Sequence, residues 1–149
     1  MSPLDLTLRL LLAAGLGAAI GIERELHRKP AGLRTNILIA VGAALFTTLS
    51  VHLAGEGGTP DRIAAQIVTG VGFLGAGAIL HSRGGGVQGM TTAATIWVNA
   101  AVGMAVGAGH YAMAAVATGI TLVVLTVLAP LEAWFERRTI ADEGEKKIL

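Results

Sequence analysis

Residues 91–129 have the sequence TTAATIWVNAAVGMAVGAGHYAMAAVATGITLVVLTVLA, 39 consecutive positions without a formal charge. An α-helix rises about 1.5 Å per residue and the hydrocarbon core of a bilayer is about 30 Å thick, so ~20 residues make one crossing. The stretch is therefore long enough to cross a membrane twice. The sequence GAGH at 107–110 predicts the turn between the two crossings.

The low charge extends well beyond this stretch. Residues 62–131 contain no Asp or Glu, and their only basic residues are Arg62 and Arg83. A charged side chain at the bilayer centre costs roughly 3 kcal/mol or more, so such a tract is typical of membrane-spanning segments. The chain is 14% charged, against about 25% for an average soluble domain. We therefore predict an all-α, polytopic membrane protein.

Five apolar segments predict a bundle of five transmembrane helices. The segments are residues 4–22, 33–54, 63–80, 91–107 and 111–130. We expect residues 1–131 to form one transmembrane domain and residues 132–149 to form a polar cytoplasmic tail. Asp5 stands where a signal peptide would be basic, so we expect the N-terminus to remain in the mature protein.

The basic residues are concentrated on one side of this bundle. Nine of the eleven Lys and Arg residues lie in the first and third loops and in the tail, whereas only Arg9 and Arg62 lie on the other side. The positive-inside rule therefore predicts an external N-terminus and a cytoplasmic C-terminus.

Glycine-rich patterns predict where the helices pack, because small residues let two helices approach closely in lipid. The glycines concerned are Gly17, Gly21, Gly70, Gly72, Gly75, Gly77, Gly103 and Gly107. The four between 70 and 77 leave two interpretations open: close packing of a neighbouring helix, or local unwinding that turns backbone carbonyls into a cavity. Their GxGxxG spacing is not a dinucleotide fingerprint, because a preceding strand and a later acidic residue are missing.

Polar residues share faces with these glycines on the third and fourth helices. Every fourth position from 91 to 107 is polar or small, and Gln66 lies on a comparable face of the third helix. A buried amide in lipid needs a partner, so we expect the faces to meet and Asn99 to bond to Gln66 or to backbone. Two interpretations are open. These residues either only hold the two helices together, or they line a polar pathway or a small-ligand site between them. The candidate residues are Gln66, Thr91, Thr92, Thr95 and Asn99.

The loop between the first two helices is the most charged segment, and it supplies Glu23, Arg24, Arg34 and Thr35 as candidates. We expect the carboxylate of Glu23 to turn into the bundle and pair with Arg34. Because Mg²⁺ prefers carboxylate and water oxygens, Glu23 is a weak candidate for a cation ligand. The four histidines lack metal-ligand spacing, and no nucleophile and base can be placed together. We expect no enzyme activity and no cofactor, apart from a low-ranked role for Mg²⁺.

Four motifs together resemble the membrane domain of the MgtC/SapB family. They are GIERE at 21–25, AGLRTN at 31–36, QIVTGVGFLGAGAI at 66–79 and GMTTAATIW at 89–97. The resemblance implies a five-helix bacterial inner-membrane protein associated with growth at low magnesium and, in pathogens, with survival inside host cells. It also implies partners such as the ATP synthase. Many members carry a soluble domain of some tens of residues after the helices. Only about 19 residues follow the last predicted helix here, so we expect a short, SapB-like member without that domain.

Two functions remain open at this point. The first is a non-enzymatic protein of magnesium homeostasis that works through helix contacts, for which Gly103→Leu abolishes function and Glu23→Gln is mild. The alternative is a transporter or channel for Mg²⁺ or a small solute, built by an oligomer, in which Glu23, Gln66 and Asn99 matter most. Both predict membrane lipids and a second copy of the chain as neighbours, and neither involves nucleic acid.

Overall fold

The computed structural model describes residues 1–54, 61–81 and 87–146, and over these residues it contains five α-helices and one short antiparallel hairpin. The elements are α1 (Pro3–Leu26), α2 (Leu33–Ala54), α3 (Asp61–Ala78), β1 (Leu80–His81), β2 (Val87–Gln88), α4 (Met90–Gly107) and α5 (Tyr111–Lys146). Among the described helices, α1, α2, α4 and the first half of α5 are long and apolar enough to cross a membrane. The predicted all-α membrane bundle is confirmed.

Local sequence signals explain how two of the helices begin. Pro3 occupies the first turn of α1, where its missing N–H costs nothing, and the hydroxyl of Ser2 accepts a 3.1 Å hydrogen bond from the backbone N–H of Asp5. Gly89 precedes α4 with φ at +93°, and a Cβ added there would collide with the carbonyl oxygen of Ala78. Glycine is therefore required at the step from the hairpin into α4.

α5 is longer than the sequence predicts, since it continues as a helix to Lys146 instead of ending at 130. Hydropathy predicts where a lipid-spanning segment ends, but helical hydrogen bonding continues wherever the following residues favour it. Residues 131–146 are rich in Glu, Arg and Ala, which are good helix formers. Most of the predicted polar tail is thus helical, and residues 147–149 lie outside the described part of the chain.

α4 contacts all four other described helices, and α1 packs closely on α2 through glycines. A Cβ added at Gly17 would lie 2.8 Å from the carbonyl oxygen of Asn36, and one added at Gly21 would lie 2.8 Å from Cα of Leu33. These distances are shorter than side-chain contacts allow, so only glycine permits α1 to approach α2 this closely.

α4 packs on α2 in the same way. A Cβ added at Gly103 would collide with the carbonyl oxygen of Ala40, and one added at Gly107 would collide with that of Ala44. Because both glycines contact backbone, which cannot rotate away as a side chain can, the distance between α2 and α4 is fixed at these two points.

α3 packs mainly on α4 and less extensively on α2. Val71 is its buried hydrophobic residue, in a cluster with Ala43 of α2 and with Ile96 and Ala100 of α4. Gly75 faces Ala93 at an ordinary van der Waals distance of 3.6 Å. The rest of α3 leaves a face uncovered, which is described below.

Candidate functional site

Two buried asparagines join α2 to α4 near the loop end, defined as the end of the bundle where α1 ends and α2 begins. Asn36 and Asn99 are both 0% exposed. The side-chain nitrogen Nδ2 of Asn99 donates hydrogen bonds to the backbone oxygen of Asn36 at 2.7 Å and to its Oδ1 at 3.1 Å. Nδ2 of Asn36 in turn donates to the carbonyl oxygens of Ala31 and Gly32 at 2.8 and 2.9 Å. The pair therefore holds α4, α2 and the preceding loop together.

Asn99 bonds to backbone, which is the second of its two predicted partners. The acceptor is the backbone oxygen of Asn36, whereas Gln66, the other predicted partner, is exposed on α3. Thr91 is also exposed, while Thr92 and Thr95 are buried beside Asn99 on the inner face of α4. The expected contact between the polar faces of α3 and α4 is wrong, because the polar face of α4 points at α2.

Asn36 is a residue that sequence reasoning missed as a candidate. It is the last residue of the AGLRTN motif, and its amide stands one turn into α2, directly before ten apolar residues at 37–46. A lone amide at such a position needs a partner, and that signal was available from the sequence.

A buried charged cluster lies at the end of α1. Glu23 is 7% exposed and Arg24 is 3% exposed. Oε2 of Glu23 lies 3.5 Å from Nη1 of Arg24, and Oε1 lies 3.1 Å from Nδ1 of His27. That nitrogen is also 2.8 Å from the backbone oxygen of Glu23. Both neighbours of Nδ1 are acceptors, so Nδ1 carries the proton and donates it.

One edge of the Arg24 guanidinium is unpaired. Its Nε and Nη2 are buried and have no hydrogen-bond partner among the residues that the structure describes. These two nitrogens form the side of the guanidinium that binds carboxylates and phosphates with two parallel hydrogen bonds. In the described part of the chain, the acceptor that this side chain contacts is Glu23, which lies at the opposite corner, Nη1.

The loop after α1 is fixed by Glu25 and not by the predicted ion pair. Oε2 of Glu25 accepts a 3.0 Å hydrogen bond from the backbone N–H of Leu33, and so caps the start of α2. Arg34 and Thr35 are both exposed. The predicted pairing of Glu23 with Arg34 is wrong, because Glu23 is held within its own helix.

The opposite end of the bundle contains a second polar contact. Nη1 of Arg9 donates to the carbonyl oxygen of Gly107 at 2.8 Å, and the same oxygen accepts from the hydroxyl of Thr48 at 3.2 Å. Arg9 also pairs with Asp5 at 3.1 Å and lies 5.9 Å from the centre of the Tyr111 ring. A cation at the C-terminus of α4 satisfies free carbonyls there and complements the helix dipole. This contact ties four helices together.

One side of α3 points away from the other helices that the structure describes. We define the α3 face as Gln66, Thr69, Gly70, Phe73 and Gly77. All five residues are exposed, and Phe73 is 82% exposed. A Cβ added at Gly70 or Gly77 would meet nothing within 4 Å. The face borders a groove of 490 Å³ between α2 and α3, lined by residues such as Leu38 and Leu74. The α3 face thus combines small and polar residues with open space.

A site for a metal ion is not evident in the part of the chain that the structure describes. Among these residues, no group of three His, Asp, Glu or Cys side chains lies close enough to hold an ion. Glu23, the predicted weak candidate, directs its carboxylate towards Arg24 and His27.

Comparison with known proteins gives consistent matches. The model of the MgtC family matches residues 10–134. Protein MgtC of Brucella abortus (strain 2308) is 52% identical over 116 residues, covering 78% of this chain and 48% of the relative. Protein MgtC of Salmonella typhimurium is 44% identical over 142 residues, covering 95% and 60%. The Escherichia coli K12 protein named "Putative magnesium transporter YhiD" is 48% identical over 134 residues, covering 85% and 62%.

The chain spans about half to three fifths of the length of these relatives. No solved structure shows a significant match.

Proposed function

The chain belongs to the MgtC family, and we propose that it is a non-enzymatic protein of a bacterial inner membrane that serves magnesium homeostasis through contacts with other membrane proteins. The apolar helices and the family support the membrane location. The positive-inside count supports a cytoplasmic loop end and C-terminus. The link to magnesium is supported by the name of the Escherichia coli relative.

The α3 face is the observation that carries this proposal. A glutamine amide that faces hydrocarbon lacks a hydrogen-bond partner, and glycines on the same side let another helix approach closely. Gln66, Gly70 and Gly77 provide both features on a surface that no part of the described chain covers. A helix of a second copy, or of a partner complex, satisfies both. The family resemblance makes the ATP synthase the first partner complex to test.

Growth in low magnesium tests the role of the α3 face. The experiment uses a bacterial host whose own MgtC-family gene is deleted and then supplied with this chain. We expect Gly70→Leu and Gly77→Leu to abolish the growth advantage, because leucine fills the space that a partner helix needs. Gly15→Leu is the matched control, since a Cβ there also meets nothing within 4 Å, next to the exposed Leu11 of α1.

Membrane levels of each variant must equal those of the wild type. Crosslinking from Thr69→Cys, followed by identification of the adduct, distinguishes a second copy from the ATP synthase. If Gly70→Leu and Gly77→Leu both grow like the wild type, the contact role of α3 is wrong.

The alternative is transport of Mg²⁺ or a small solute by an oligomer, and the name of the Escherichia coli relative favours it. Magnesium flux into dye-loaded proteoliposomes tests it directly, with Glu23→Gln and Asn99→Ala as variants. We expect no flux, because the amide of Asn99 bonds within the bundle and Glu23 is held by its neighbours. Flux that both variants abolish would replace the contact role with transport.

A further inference from the structure

Arg24 is a buried cation whose hydrogen bonds are incomplete. Its side chain is 4% exposed, and within residues 1–54, 61–81 and 87–146 its Nε and Nη2 have no hydrogen-bond partner. A buried guanidinium with unsatisfied donors is costly unless a partner of opposite charge completes it. Glu23 does this poorly, because its 3.5 Å separation from Nη1 is well beyond the roughly 2.8 Å of a strong charge-assisted bond.

The unpaired edge has the donor geometry of an oxyanion site, but both nitrogens are buried, so a phosphate reaches them only when the chain around them moves aside. Nε–H and Nη2–H point in parallel, at the spacing of two oxygens of a phosphate or carboxylate. The rest of the loop also favours an anion. Of its acidic groups, Glu23 binds His27 and Arg24, and Glu25 caps α2.

The exposed cations of the same loop have no ion pair among the described residues. They are Arg28, Lys29 and Arg34. Clusters of basic residues at the cytoplasmic membrane surface attract phosphate-bearing groups, and phosphates are the commonest anions at that surface. The charge count assigns the loop end to that surface.

We propose that the Nε and Nη2 edge of Arg24 binds a phosphate group at the loop end of the bundle. The phosphate belongs either to a phospholipid headgroup or to free phosphate, and both present the same oxygens to the guanidinium. Binding completes the hydrogen bonds of Arg24 and leaves Glu23 with His27. The site does not depend on the contact role of the α3 face.

Two arms of one experiment distinguish the sources. The unfolding midpoint of the purified chain in detergent is measured against inorganic phosphate at constant ionic strength, with chloride as the reference anion. In parallel, native mass spectrometry measures retention of phosphatidylglycerol and of a glucosyl diacylglycerol, which has no phosphate. A saturable shift with inorganic phosphate identifies free phosphate, and selective retention of phosphatidylglycerol alone identifies a headgroup. If inorganic phosphate does not shift the unfolding midpoint and phosphatidylglycerol is not retained selectively, the proposal is wrong.

Two substitutions link binding to Arg24. Arg24→Lys keeps the charge but loses the bidentate pair of N–H donors, so we expect the affinity for phosphate to fall about tenfold or more. Arg34→Lys makes the same chemical change at an exposed arginine, and we expect its affinity to match the wild type.

Glu23→Gln gives a prediction of opposite sign, because it removes the negative charge beside Arg24. We expect this variant to bind phosphate more tightly than the wild type, whereas loss of a purely structural contact would not improve binding. It also keeps the test valid if Arg24→Lys does not fold. Unchanged or weaker binding by Glu23→Gln would overturn the proposal.

Discussion

Replacing Gly103 by alanine is the sharpest test of how α4 is held. The added Cβ would collide with the carbonyl oxygen of Ala40 and would lie 3.0 Å from Cα of Ala40. A carbon and a carbonyl oxygen normally remain about 3.3–3.6 Å apart, so α4 must move from α2 by on the order of 1 Å. One turn away, that movement stretches the hydrogen bonds from Asn99 to Asn36.

The expected cost follows from these two effects. Overpacking of a close contact costs about 1–3 kcal/mol, and weakened hydrogen bonds add about 1 kcal/mol. Alanine recovers about 0.5–1 kcal/mol through its better helix propensity. We therefore expect the free energy of unfolding to fall by about 1–3 kcal/mol, measured by steric trapping in bicelles.

Gly72→Ala is the matched control, since a Cβ at this α3 position meets nothing within 4 Å. We expect its free energy of unfolding to equal or slightly exceed that of the wild type. If Gly103→Ala is as stable as Gly72→Ala, the contact between α4 and the backbone of α2 does not limit the packing, and the reasoning fails.

Three further predictions concern the loop end and the hairpin. Asn36→Ala and Asn99→Ala form a double-mutant cycle, and we expect a coupling free energy of about 0.5–2 kcal/mol from the 3.1 Å hydrogen bond between their side chains, since the bond to the backbone oxygen of residue 36 survives Asn36→Ala; strictly additive losses would contradict the side-chain bond. Glu25→Ala removes the acceptor at the start of α2, so we expect a loss of about 1 kcal/mol and faster hydrogen exchange at the Leu33 amide, whereas Glu25→Gln retains an acceptor and should behave like the wild type. Gly89→Ala forces a Cβ into a left-handed backbone conformation and against a carbonyl of α3; we expect a loss of about 1–3 kcal/mol, and a thermal midpoint equal to that of the wild type would show that the hairpin relaxes freely.

The number and position of the helices could be predicted from the sequence, because bilayer thickness sets their length. α2 has the predicted bounds, and α4 begins one residue before its predicted start at 91. α3 begins and ends two residues before the predicted 63–80. The larger error is the end of α5, where helical structure continues past the apolar segment to Lys146. Apolarity predicts which residues lie in the membrane and not where helical structure ends. It therefore gives the wrong end for a helix that continues beyond the membrane.

The pairing of the helices could not be predicted in the same way. In a soluble protein the apolar face of a helix points inward, but in lipid both faces are apolar and the pattern loses that information. Small and polar residues therefore predict contact surfaces without naming their partners. The stripe containing Asn99 and Gly103 meets α2, whereas the similar stripe containing Gln66 and Gly70 is exposed.

The α3 face and the unpaired edge of Arg24 lack different kinds of partner. On α3 the open positions are glycines beside an uncovered amide, where a closely packed helix fits. At the end of α1, two buried N–H groups of a cation lack a partner among the described residues, and a phosphate can pair with both. Because the two lie on different elements, Gly70→Leu should leave phosphate affinity unchanged. Glu23→Gln should raise the phosphate affinity and leave the contacts of α3 intact. A single substitution that changes both the phosphate affinity and the contacts of α3 would indicate that α1 and α3 are coupled through α2.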